Sequence, residues 1–517
     1  MFILFRILEA CVLTLAAGLT GWNLFHIFQL ESYQLPGYGR SLLRNPLGLI
    51  IRPLAVSAVG VVTVLYGLPR MLCLLLTLLA AAGVYLLAHR KKQKKPFVVT
   101  DRVKRFLGIH AGISLILEFL LLAVWAPAGY ALPGLEPVIL CLAALAAQPL
   151  EKRIADEFVE DARRRLDRMP SLIRIGITGS YGKTSTKFFL REILSAKYRV
   201  LATPGSFNTT MGVTRVIREQ LMPTHQVFIA EMGARHVGDI RELCDLVHPQ
   251  IGMITSVGPQ HLDTFRTVER VRQTKYELIE ELPDGGTAVF ANDGAICSQM
   301  YEECPLVDKY LSDSLFRAED VHCGPWGTRF RLVRIDTGES VDCETKLLGE
   351  YAISNLLLCV TVAGVLGLTM EEIAGGIRLC KPVEHRLQLL PAGEGISVID
   401  DAFNSNPSGA RAALHVLKEF PGRRILVTPG MVELGEQEAE LNRQFGREVV
   451  GCADIVFLIG PRHCEPIAAG LREAGFPEEN LIIMRSLEEC TRKLNAMMRS
   501  GDVILYENDL PDNYNEG

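Results

Sequence analysis

The sequence predicts an α/β protein of two soluble domains that follow an α-helical transmembrane domain. Three observations lead to this prediction. Five long apolar runs occupy the first 150 residues, short β-rich runs alternate with helical segments beyond them, and a glycine-rich loop follows the first of those β-rich runs. We therefore expect domains at 1–150, 151–383 and 384–517.

Composition narrows the class of protein. The chain of 517 residues is long enough for about three domains. Its net charge of −5 gives no sign of a nucleic-acid binder. The mean hydropathy of +0.21 is high for a soluble protein, and the first 150 residues carry almost all of the excess. The 13 cysteines form no C-x-x-C pair, which favours reduced thiols in a cytosolic compartment over a zinc ribbon or a disulfide framework.

Each of the five apolar runs is near the ~20 residues that span a bilayer. They lie at 2–28, 47–68, 71–88, 106–126 and 135–150. The last run is the shortest, and a re-entrant or interfacial helix is the alternative there. The first is too long to be a removed signal peptide, and its Arg6 and Glu9 are spaced to pair within the helix.

Basic residues predict the orientation of these spans. The segment 89–95 is densely basic and continues into further cations up to Arg105, while Lys152 and Arg153 follow the fifth run. Such segments stay in the cytoplasm, so we expect a multi-pass protein of the cytoplasmic membrane with an external N-terminus and its catalytic domains in the cytosol. The basic segment either serves only as this topology signal or binds an anionic lipid headgroup or a substrate phosphate.

The soluble part begins with three predicted strands at 173–178, 227–231 and 251–257. In a parallel sheet ligands bind at the carboxyl ends of strands, so the residues that end these strands are expected to converge on one site. A second α/β unit is expected from about residue 385. Its predicted strands lie at 396–399, 424–428, 455–459 and 503–505.

The loop after the first strand has the features of a phosphate cradle. Glycines let the backbone approach phosphate oxygens, amide groups at a helix start face the anion, and Lys183 adds a mobile positive charge. The hydroxyl of Thr184 is placed to bind Mg²⁺. The residues assigned to nucleotide binding here are Gly179, Ser180, Tyr181, Gly182, Lys183, Thr184 and Ser185. The usual pattern has glycine where Ile177 stands, so a structural glycine turn is the alternative.

Eight short motifs follow one another along the chain. They are GITGSYGKT at 176–184, SFNTTMGV at 206–213, AEMGA at 230–234, GPQHLD at 258–263, TKYE at 274–277, HRL at 385–387, DDAFNSNP at 400–407 and GMVELG at 430–435. In this order they resemble the Mur ligase family, above all its MurF-type members, which join D-Ala-D-Ala to a muramoyl peptide. The resemblance implies a P-loop central domain and a Rossmann-like C-terminal domain.

The resemblance also implies how a nucleotide and metal ions are held. Lys183 would hold the β- and γ-phosphates of ATP, with Thr184 and Glu231 on a Mg²⁺ ion between them. His261 would bind or support a second Mg²⁺. Lys275 matches the lysine that this family carbamylates, and a carbamate, unlike an ammonium group, can bind Mg²⁺. Taken alone, Lys275 reads as an ordinary exposed lysine of a helix.

Four further residues resemble the family's nucleotide contacts. Asn292 and Asn355 match residues on the adenine side, Arg386 matches a γ-phosphate residue, and Asp401 matches a ribose residue. Arg386 has a second interpretation as a salt-bridge partner near the hinge. The implied reaction forms an amide bond through an acyl phosphate, with ATP, a carboxylate acceptor and an amine donor as partners. The last domain would close over ATP by a hinge near 381–384.

The sequence departs from the family in three places. The spans stand where the family has a soluble UDP-sugar domain, which favours either a lipid-linked acceptor, such as a polyprenyl-bound muropeptide, or another envelope polymer. The segment 349–355 keeps only the final Asn of Gly-x-His-Asn-x-x-Asn. The acidic segment 506–511 replaces a Lys-Gly-Ser segment near the incoming dipeptide, which predicts a preference for a cationic amine and leaves D-Ala-D-Ala open.

Three other functions remain open. A poly-γ-glutamate ligase shares the ATP machinery, and a non-catalytic ATP-binding membrane scaffold fits the altered segment 349–355. A transporter is disfavoured, because the ionisable residues inside the spans are too sparse for a relay. Those residues are Arg6, Glu9, His26, Arg52, His110, Glu118 and Glu136.

Overall fold

The computed structural model describes residues 2–31, 33–89, 96–324, 326–391, 393, 395–403, 405–432 and 434–509. The basic segment 90–95, Asn404, Glu433 and the acidic residues after 509 lie outside these ranges. The chain forms two compact units, Met1–Glu157 and Phe158–Gly517.

The first unit is helical, with a single π-helical turn at Leu47–Ile51. Its helices are α1 (Phe2–Leu30), α2 (Leu35–Arg44), α3 (Arg52–Leu65), α4 (Arg70–His89), α5 (Asp101–Val124), the short α6 (Ala126–Gly129) and α7 (Leu132–Asp167). The helix α1 packs against α4 and α5, so one side of each is covered by protein.

Five of these helical stretches are long and apolar enough to cross a membrane, as the sequence predicts. The fifth apolar run is the shortest in the sequence, yet it lies in the longest of these helices. Its apolar residues belong to the 36-residue helix α7, whose second half is charged and continues to Asp167. The predicted pair in α1 is confirmed, with 3.2 Å between Arg6 Nη1 and Glu9 Oε2.

The second unit begins with a parallel six-stranded sheet in the order β2-β3-β1-β4-β5-β6. Its strands are β1 (Ile173–Thr178), β2 (Val200–Ala202), β3 (Val227–Glu231), β4 (Ile251–Ile254), β5 (Thr287–Phe290) and β6 (Lys309–Leu311). The helices along it are α8 (Lys183–Leu194), α9 (Thr210–Gln220), α10 (Asp239–Val247), α11 (Leu262–Phe265), α12 (Val268–Glu280) and α13 (Ile296–Glu303).

Two of the three predicted strands have the predicted bounds, and the third is shorter. The strand β1 lies between β3 and β4, with Ile177 paired to Glu231 and Thr178 paired to Ile254. This register brings the carboxyl ends of all three strands to one edge, as expected for parallel strands. Residues 255–257, predicted as the end of the third strand, are loop, and they contact the loop that follows β1.

An antiparallel sheet and two helices complete this domain. They are β7 (Phe316–Gly324), β8 (Gly327–Arg334), β9 (Ser340–Thr345), α14 (Glu350–Val365) and α15 (Met370–Leu379). The sequence pattern did not predict these three strands. The helix α14 packs against α8, the helix that follows the glycine-rich loop.

A second six-stranded sheet forms the C-terminal domain of the second unit, with the strand order β10-β11-β15-β12-β13-β14. Its strands are β10 (Gln388–Pro391), β11 (Ser397–Asp401), β12 (Arg424–Thr428), β13 (Ile455–Ile459), β14 (Leu481–Met484) and β15 (Val503–Glu507). Only the edge strand β10 is antiparallel to its neighbour. The helices are α16 (Pro407–Lys418), α17 (Glu438–Val449), α18 (Glu465–Glu473) and α19 (Leu487–Met497), with 3₁₀ turns at Gly435–Gln437 and Glu478–Asn480. The strands β12 and β13 have the predicted bounds.

Candidate active site

The loop between β1 and α8 needs glycine at two positions. Gly179 and Gly182 have φ angles of +146° and +80°. A Cβ atom on Gly182 would lie 2.8 Å from the Oδ1 atom of Asn355, and one on Gly179 would lie 2.2 Å from the Oγ1 atom of Thr255. Ile177 is buried inside β1, so the loop begins after it. The helix α8 starts at Lys183, and its first amide groups follow directly on the loop.

Neighbouring loop residues hold this loop in place. Ser180 Oγ donates to the carbonyl of Gly258 and accepts from its amide, both at 3.1 Å. The amide of Tyr181 donates to Ser256 Oγ at 2.8 Å, and the phenol of Tyr181 donates to the carbonyl of Pro259. Ser180 and Tyr181 therefore join the phosphate loop to the loop after β4, whereas Ser185 lies half-buried on the first turn of α8.

Lys183 is folded over the loop that precedes it. Its Nζ atom donates to the carbonyls of Gly179 and Ser180, at 2.6 and 3.1 Å. Burial lowers the pKa of Lys183 to about 8; Glu231 opposes this shift, and the positive charge of Arg386 adds to it. The amine is thus held where a phosphate on the loop would meet it, close to both Glu231 and Arg386.

Glu231, the last residue of β3, is the anion of the site. Its Oε1 atom accepts from Thr184 Oγ1 and Asn208 Nδ2, both at 3.1 Å, and its Oε2 atom accepts from Lys187 Nζ at 2.9 Å. Burial would raise its pKa, but Lys187 and Lys183 outweigh burial and hold the pKa of Glu231 below its usual value.

This arrangement fits a magnesium ion. An ionised carboxylate and a hydroxyl group lie side by side, and hard oxygen donors are the ligands that Mg²⁺ prefers. The geometry therefore suits the interpretation of Thr184 and Glu231 as the pair that would hold the ion. Lys187, the cation that fixes Glu231, was missed. Its only signal in the sequence is its position one helical turn after Lys183.

Lys275 is buried in α12, with 1% of its surface exposed, so its interpretation as an exposed lysine is wrong. Its Nζ atom makes no hydrogen bond to any residue within the described ranges. Burial and the charge of Lys183 hold the pKa of Lys275 well below its ordinary value, against the opposing charges of Asp239, Glu277 and Glu231. A neutral lysine amine is the form that reacts with CO₂, so the site suits carbamylation.

His261 follows β4 on the loop that contacts Ser180 and Tyr181. It has a left-handed backbone (φ +50°) and begins the short helix α11, where its carbonyl accepts from the amides of Thr264 and Phe265. The side chain is half-buried. The backbone thus brings His261 to the same edge of the sheet as Glu231.

Residues from α14 and from the C-terminal domain meet the phosphate loop. Asn355 is buried, accepts from Thr186 Oγ1 at 3.2 Å, and lies against Gly182. Arg386 stacks on the ring of Phe403 with 4.5 Å between guanidinium carbon and ring centre. Burial lowers the pKa of Arg386, while the negative charge of Asp401 opposes this.

The second interpretation of Arg386, as a hinge salt-bridge partner, is not supported. Within the described part of the chain, its guanidinium has no carboxylate within 4.0 Å. Asp401 accepts from the amide of Leu387 at 3.1 Å, and burial raises its pKa to about 6, with Arg386 opposing. Asp401 and Arg386 therefore lie together at the side of the site that faces Lys183.

Asn292 lies apart from this cluster. It follows β5, and its amide donates to both oxygens of Asp313, at 3.0 and 2.8 Å. Its own side-chain oxygen accepts from Ser298 Oγ. No hydrogen bond in the described ranges joins Asn292 to the phosphate loop, so its side chain is at present committed to Asp313.

The predicted acidic edge near residue 507 is wrong for Glu507 itself. This carboxylate is 1% exposed at the end of β15 and accepts from Thr428 Oγ1 at 2.6 Å and from Ser405 Oγ. Burial raises the pKa of Glu507 to about 7. It is therefore an interior polar group of the second sheet, and it offers no surface charge to an incoming amine.

A pocket of about 520 Å³ opens beside Thr184. The pocket is lined by residues of the central domain, which are Thr184, Phe188, Arg191, Glu192, Gly205 and Ser206. Residues 381–386, which lead into the C-terminal domain, and Phe403 also line it. Thr184 and Arg386 thus face a cavity large enough for a small-molecule substrate.

Two family models match the chain. The Mur ligase middle domain matches residues 177–363, and the Mur ligase, glutamate ligase domain matches residues 385–506. Both matches lie within the second unit.

Curated proteins that match this chain in sequence carry the name of a ligase. The UDP-N-acetylmuramoyl-tripeptide–D-alanyl-D-alanine ligase of Mycobacterium tuberculosis strain H37Rv is 34% identical over 290 residues, which cover 53% of this chain and 56% of that protein. The enzyme of the same name from Mycobacterium leprae is 30% identical over 395 residues, covering 70% and 74%. The chain thus spans little more than half the length of the first curated relatives it matches.

Solved structures share the fold. The MurF ligase of Thermotoga maritima in complex with ADP superposes with a TM-score of 0.61 at 25% identity, covering 69% of this chain and 80% of that one. MurF of Acinetobacter baumannii superposes with a TM-score of 0.62 at 24% identity, covering 69% and 77%.

Proposed function

We propose, because this chain belongs to the Mur ligase family, that it is a membrane-anchored, ATP-dependent ligase that forms an amide bond in cell-envelope synthesis. One observation carries the proposal. The carboxylate of Glu231 lies at the end of β3 with a hydroxyl and a buried lysine against it, beside a glycine loop that keeps its own lysine. These groups suit phosphoryl transfer, in which most of the catalysis comes from positioning and charge neutralisation.

The chemistry needs no covalent enzyme nucleophile. A carboxylate oxygen of the acceptor attacks the γ-phosphorus of ATP, which gives an acyl phosphate and ADP. The amine then attacks the acyl carbon, phosphate leaves with the bonding electron pair, and the amine loses a proton to solvent. Lys183 and Arg386 would neutralise charge on the transferring phosphoryl group.

The remaining roles follow from the contacts and the family. Thr184 and Glu231 would hold Mg²⁺, which when bound offsets phosphate charge. The second ion would need a carbamate on Lys275, with His261 beside it. Asp401 would bind the ribose, and Asn355 would lie on the adenine side. Asn292 would join Asn355 on the adenine side only if the side-chain amide of Asn292 gave up its hydrogen bonds to Asp313.

Relatives with the name UDP-N-acetylmuramoyl-tripeptide–D-alanyl-D-alanine ligase guide the substrate proposal. We infer a muramoyl-peptide carboxylate as acceptor and D-Ala-D-Ala as amine. The burial of Glu507 removes the main reason to expect a cationic amine instead. Five apolar helices stand before the matched domains, which supports a membrane location with the catalytic domains in the cytosol and leaves a lipid-linked acceptor as the alternative to a UDP-linked one.

The test is phosphate release from ATP by the detergent-purified full chain. UDP-linked and lipid-linked muramoyl peptides are each combined with D-Ala-D-Ala, glutamate or a diamine. We expect turnover that requires both substrates and is lost in Lys183→Ala. Lys197→Ala is the matched control, because Lys197 is an exposed lysine that donates to the carbonyl of Gly367 away from the loop.

The outcomes separate the alternatives. Turnover with glutamate as sole amine would favour a poly-γ-glutamate ligase. ATP binding without turnover on any pair would favour the membrane scaffold, and no ATP binding at all would overturn the proposal.

A further inference from the structure

Nine polar side chains are buried among the described residues of the first unit, and five of them form a row that the ligase reaction does not use. They are Glu9 of α1, His110, Ser114 and Glu118 of α5, and Glu136 of α7, and each is at most 3% exposed. We call them the buried polar row. Sequence alone made these residues look too sparse for a relay. The fold turns all five inward, and ionisable residues inside an apolar bundle are functional candidates.

Glu118 has the largest number of oxygen atoms without a hydrogen bond in the buried polar row. Neither of its carboxyl oxygens has a hydrogen-bond partner among the described residues. Packing around it is tight, since a Cβ atom on Gly129 would lie 2.4 Å from Oε1. An ionised carboxylate is very costly in such surroundings, whereas a protonated one is far less so. The fold therefore leaves both oxygens of Glu118 without the partners that an ionised carboxylate needs.

Glu9 links Glu118 to the surface. The phenol of Tyr130 donates to Glu9 Oε1 at 3.2 Å, while Arg6 and Arg70 lie 3.2 and 3.7 Å from Oε2. The side chain of Arg70 is 38% exposed, so this cluster reaches solvent. Glu9 and Glu118 are close enough to interact electrostatically. Neighbouring carboxylates repel each other in a low dielectric, and a proton on one of them removes that repulsion.

The row continues along α5 to a second acid–base pair. His110, Ser114 and Glu118 are spaced by four residues, which puts them on one face of the helix over about 12 Å. The hydroxyl of Ser114 has no partner in the described ranges. At the far end His110 Nε2 lies 2.9 Å from Glu136 Oε2, while Glu136 Oε1 is also without a partner there.

The size of the ligand follows from the packing. A metal cation would need several oxygen ligands around it. Glycines instead press against the carboxyls at both ends, with a Cβ atom on Gly21 at 2.6 Å from Glu136 Oε2. A proton needs no cavity. We propose that the first unit binds and exchanges protons along the buried polar row, with Glu118 as the reversible carrier.

The inference goes beyond the ligase reaction and rests only on the proposed membrane location. The test uses the full chain in phosphatidylethanolamine–phosphatidylglycerol vesicles, with insertion checked by flotation. A potassium diffusion potential drives proton uptake, which a pH-sensitive dye reports inside the vesicles. We expect uptake above that of protein-free vesicles, and a loss of at least about tenfold in Glu118→Gln.

Controls make the result decisive. Glu151→Gln removes a carboxylate that pairs with Arg105 outside the row, and it should keep the uptake. Glu136→Gln, at the far end of the row, should lose it and serves if Glu118→Gln does not insert. ATP turnover in the same samples should be unchanged, which separates this result from the ligase test. Uptake equal to that of protein-free vesicles, or uptake unchanged in both row variants, would overturn the proposal.

Discussion

Lys187 and Glu231 form a buried ion pair beside the phosphate loop, with 2.9 Å between Nζ and Oε2 and at most 1% exposure of either side chain. The pair leaves the other carboxyl oxygen to Thr184 and Asn208. Lys187 also donates to the carbonyl of Gly205, so it fastens the carboxylate to the wall of the pocket. Glu231 is thus held as a fixed anion by contacts within the protein.

Removing Lys187 should be costly. Lys187→Met leaves Glu231 buried without its cation, and breaking one partner of a buried pair costs about 3–5 kcal/mol. The double variant Lys187→Met with Glu231→Gln should regain much of that loss, because no charge is then left unpaired. Chemical denaturation of the three proteins measures this, with Lys197→Met as the surface control. A loss below about 1 kcal/mol in Lys187→Met would contradict the interpretation.

A methyl group on Gly182 should disable nucleotide binding. Gly182 has a φ of +80°, and a Cβ atom there would meet Asn355 Oδ1 at 2.8 Å and Tyr351 Oη at 2.9 Å. Gly182→Ala should weaken ATP binding at least about tenfold, since the loop must shift to fit the added atom. Calorimetric titration with ATP measures the affinity.

The control for this variant is Gly338→Ala. Gly338 also has a positive φ, of +72°, but no atom within 4 Å of an added Cβ. It should lose about 1 kcal/mol of stability from backbone strain and keep its affinity for ATP. Equal affinities in the two variants would show that the loop tolerates the methyl group.

Lys275 should act as a carbamate. Its amine is buried, and burial together with the charge of Lys183 lowers its pKa, which favours the neutral amine that reacts with CO₂. We expect turnover to fall when CO₂ is removed and to recover when bicarbonate is added back. A carbon-13 signal of a carbamate should appear with labelled bicarbonate and be absent in Lys275→Ala.

Lys309→Ala serves as the comparison. Lys309 is a lysine of the same domain whose Nζ atom already donates to the carbonyls of Tyr301 and Cys304. The variant should keep both the carbon-13 signal and the response to bicarbonate. A protein that turns over at full rate without CO₂ would exclude a carbamate at Lys275.

Much of this site could be predicted from the sequence, because a local pattern of residues marks where each strand ends. The runs 173–178 and 227–231 are mostly apolar and rich in β-branched residues, and each ends in a polar residue, Thr178 or Glu231. Parallel pairing then brings their ends together whatever the rest of the chain does. The phosphate loop lies at one of these ends, so its neighbours could be expected.

Other features depend on contacts that no local pattern contains. Lys187 looks like a surface cation of α8 until β3 brings Glu231 against it. The burial of Glu507 requires Ser405 and Thr428, which come from distant parts of the chain. The isolated acids of the spans are likewise uninformative until helix packing shows that Glu118 faces inward. In each case burial, which decides the chemistry, is a property of the whole fold.

Arg386 should matter for the rate more than for binding. Its guanidinium stacks on Phe403 and lies close to Lys183, Glu231 and Asp401. Arg386→Ala should lower turnover by about a hundredfold, because charge on a transferring phosphoryl group loses a planar cation. Arg386→Lys should recover little, since an ammonium group neither stacks nor donates in the same plane.

Steady-state phosphate release and ATP binding, measured on the same samples, separate the two effects. Arg411→Ala is the matched control, because Arg411 pairs with Glu448 at 2.7 Å on the surface of the same domain. A parallel loss of ATP affinity and turnover in Arg386→Ala would assign this arginine to binding instead.

The stability of the protein should fall as the pH rises, through Glu507. Burial raises the pKa of Glu507 to about 7 from an ordinary 4.5, so the native state keeps this proton at pH values where the unfolded chain has released it. Between about pH 4.5 and 7 the native state binds more protons, and its stability declines across that window by about 3 kcal/mol before levelling off.

Glu507→Gln removes this proton and should flatten that part of the profile. Below about pH 4.5 the free energies of unfolding of the two proteins should differ by a constant amount, because both carry a neutral group at position 507. Above about pH 7 the variant should be more stable by about 3 kcal/mol relative to that constant difference. The charge of Asp401 raises the pKa of Glu507, so the variant removes this coupling as well. Denaturation midpoints at a series of pH values measure it, with the surface variant Glu448→Gln expected to follow the parent protein. If Glu507→Gln keeps the slope of the parent, the pH dependence arises elsewhere, and Glu507 is ionised in the native state despite its burial.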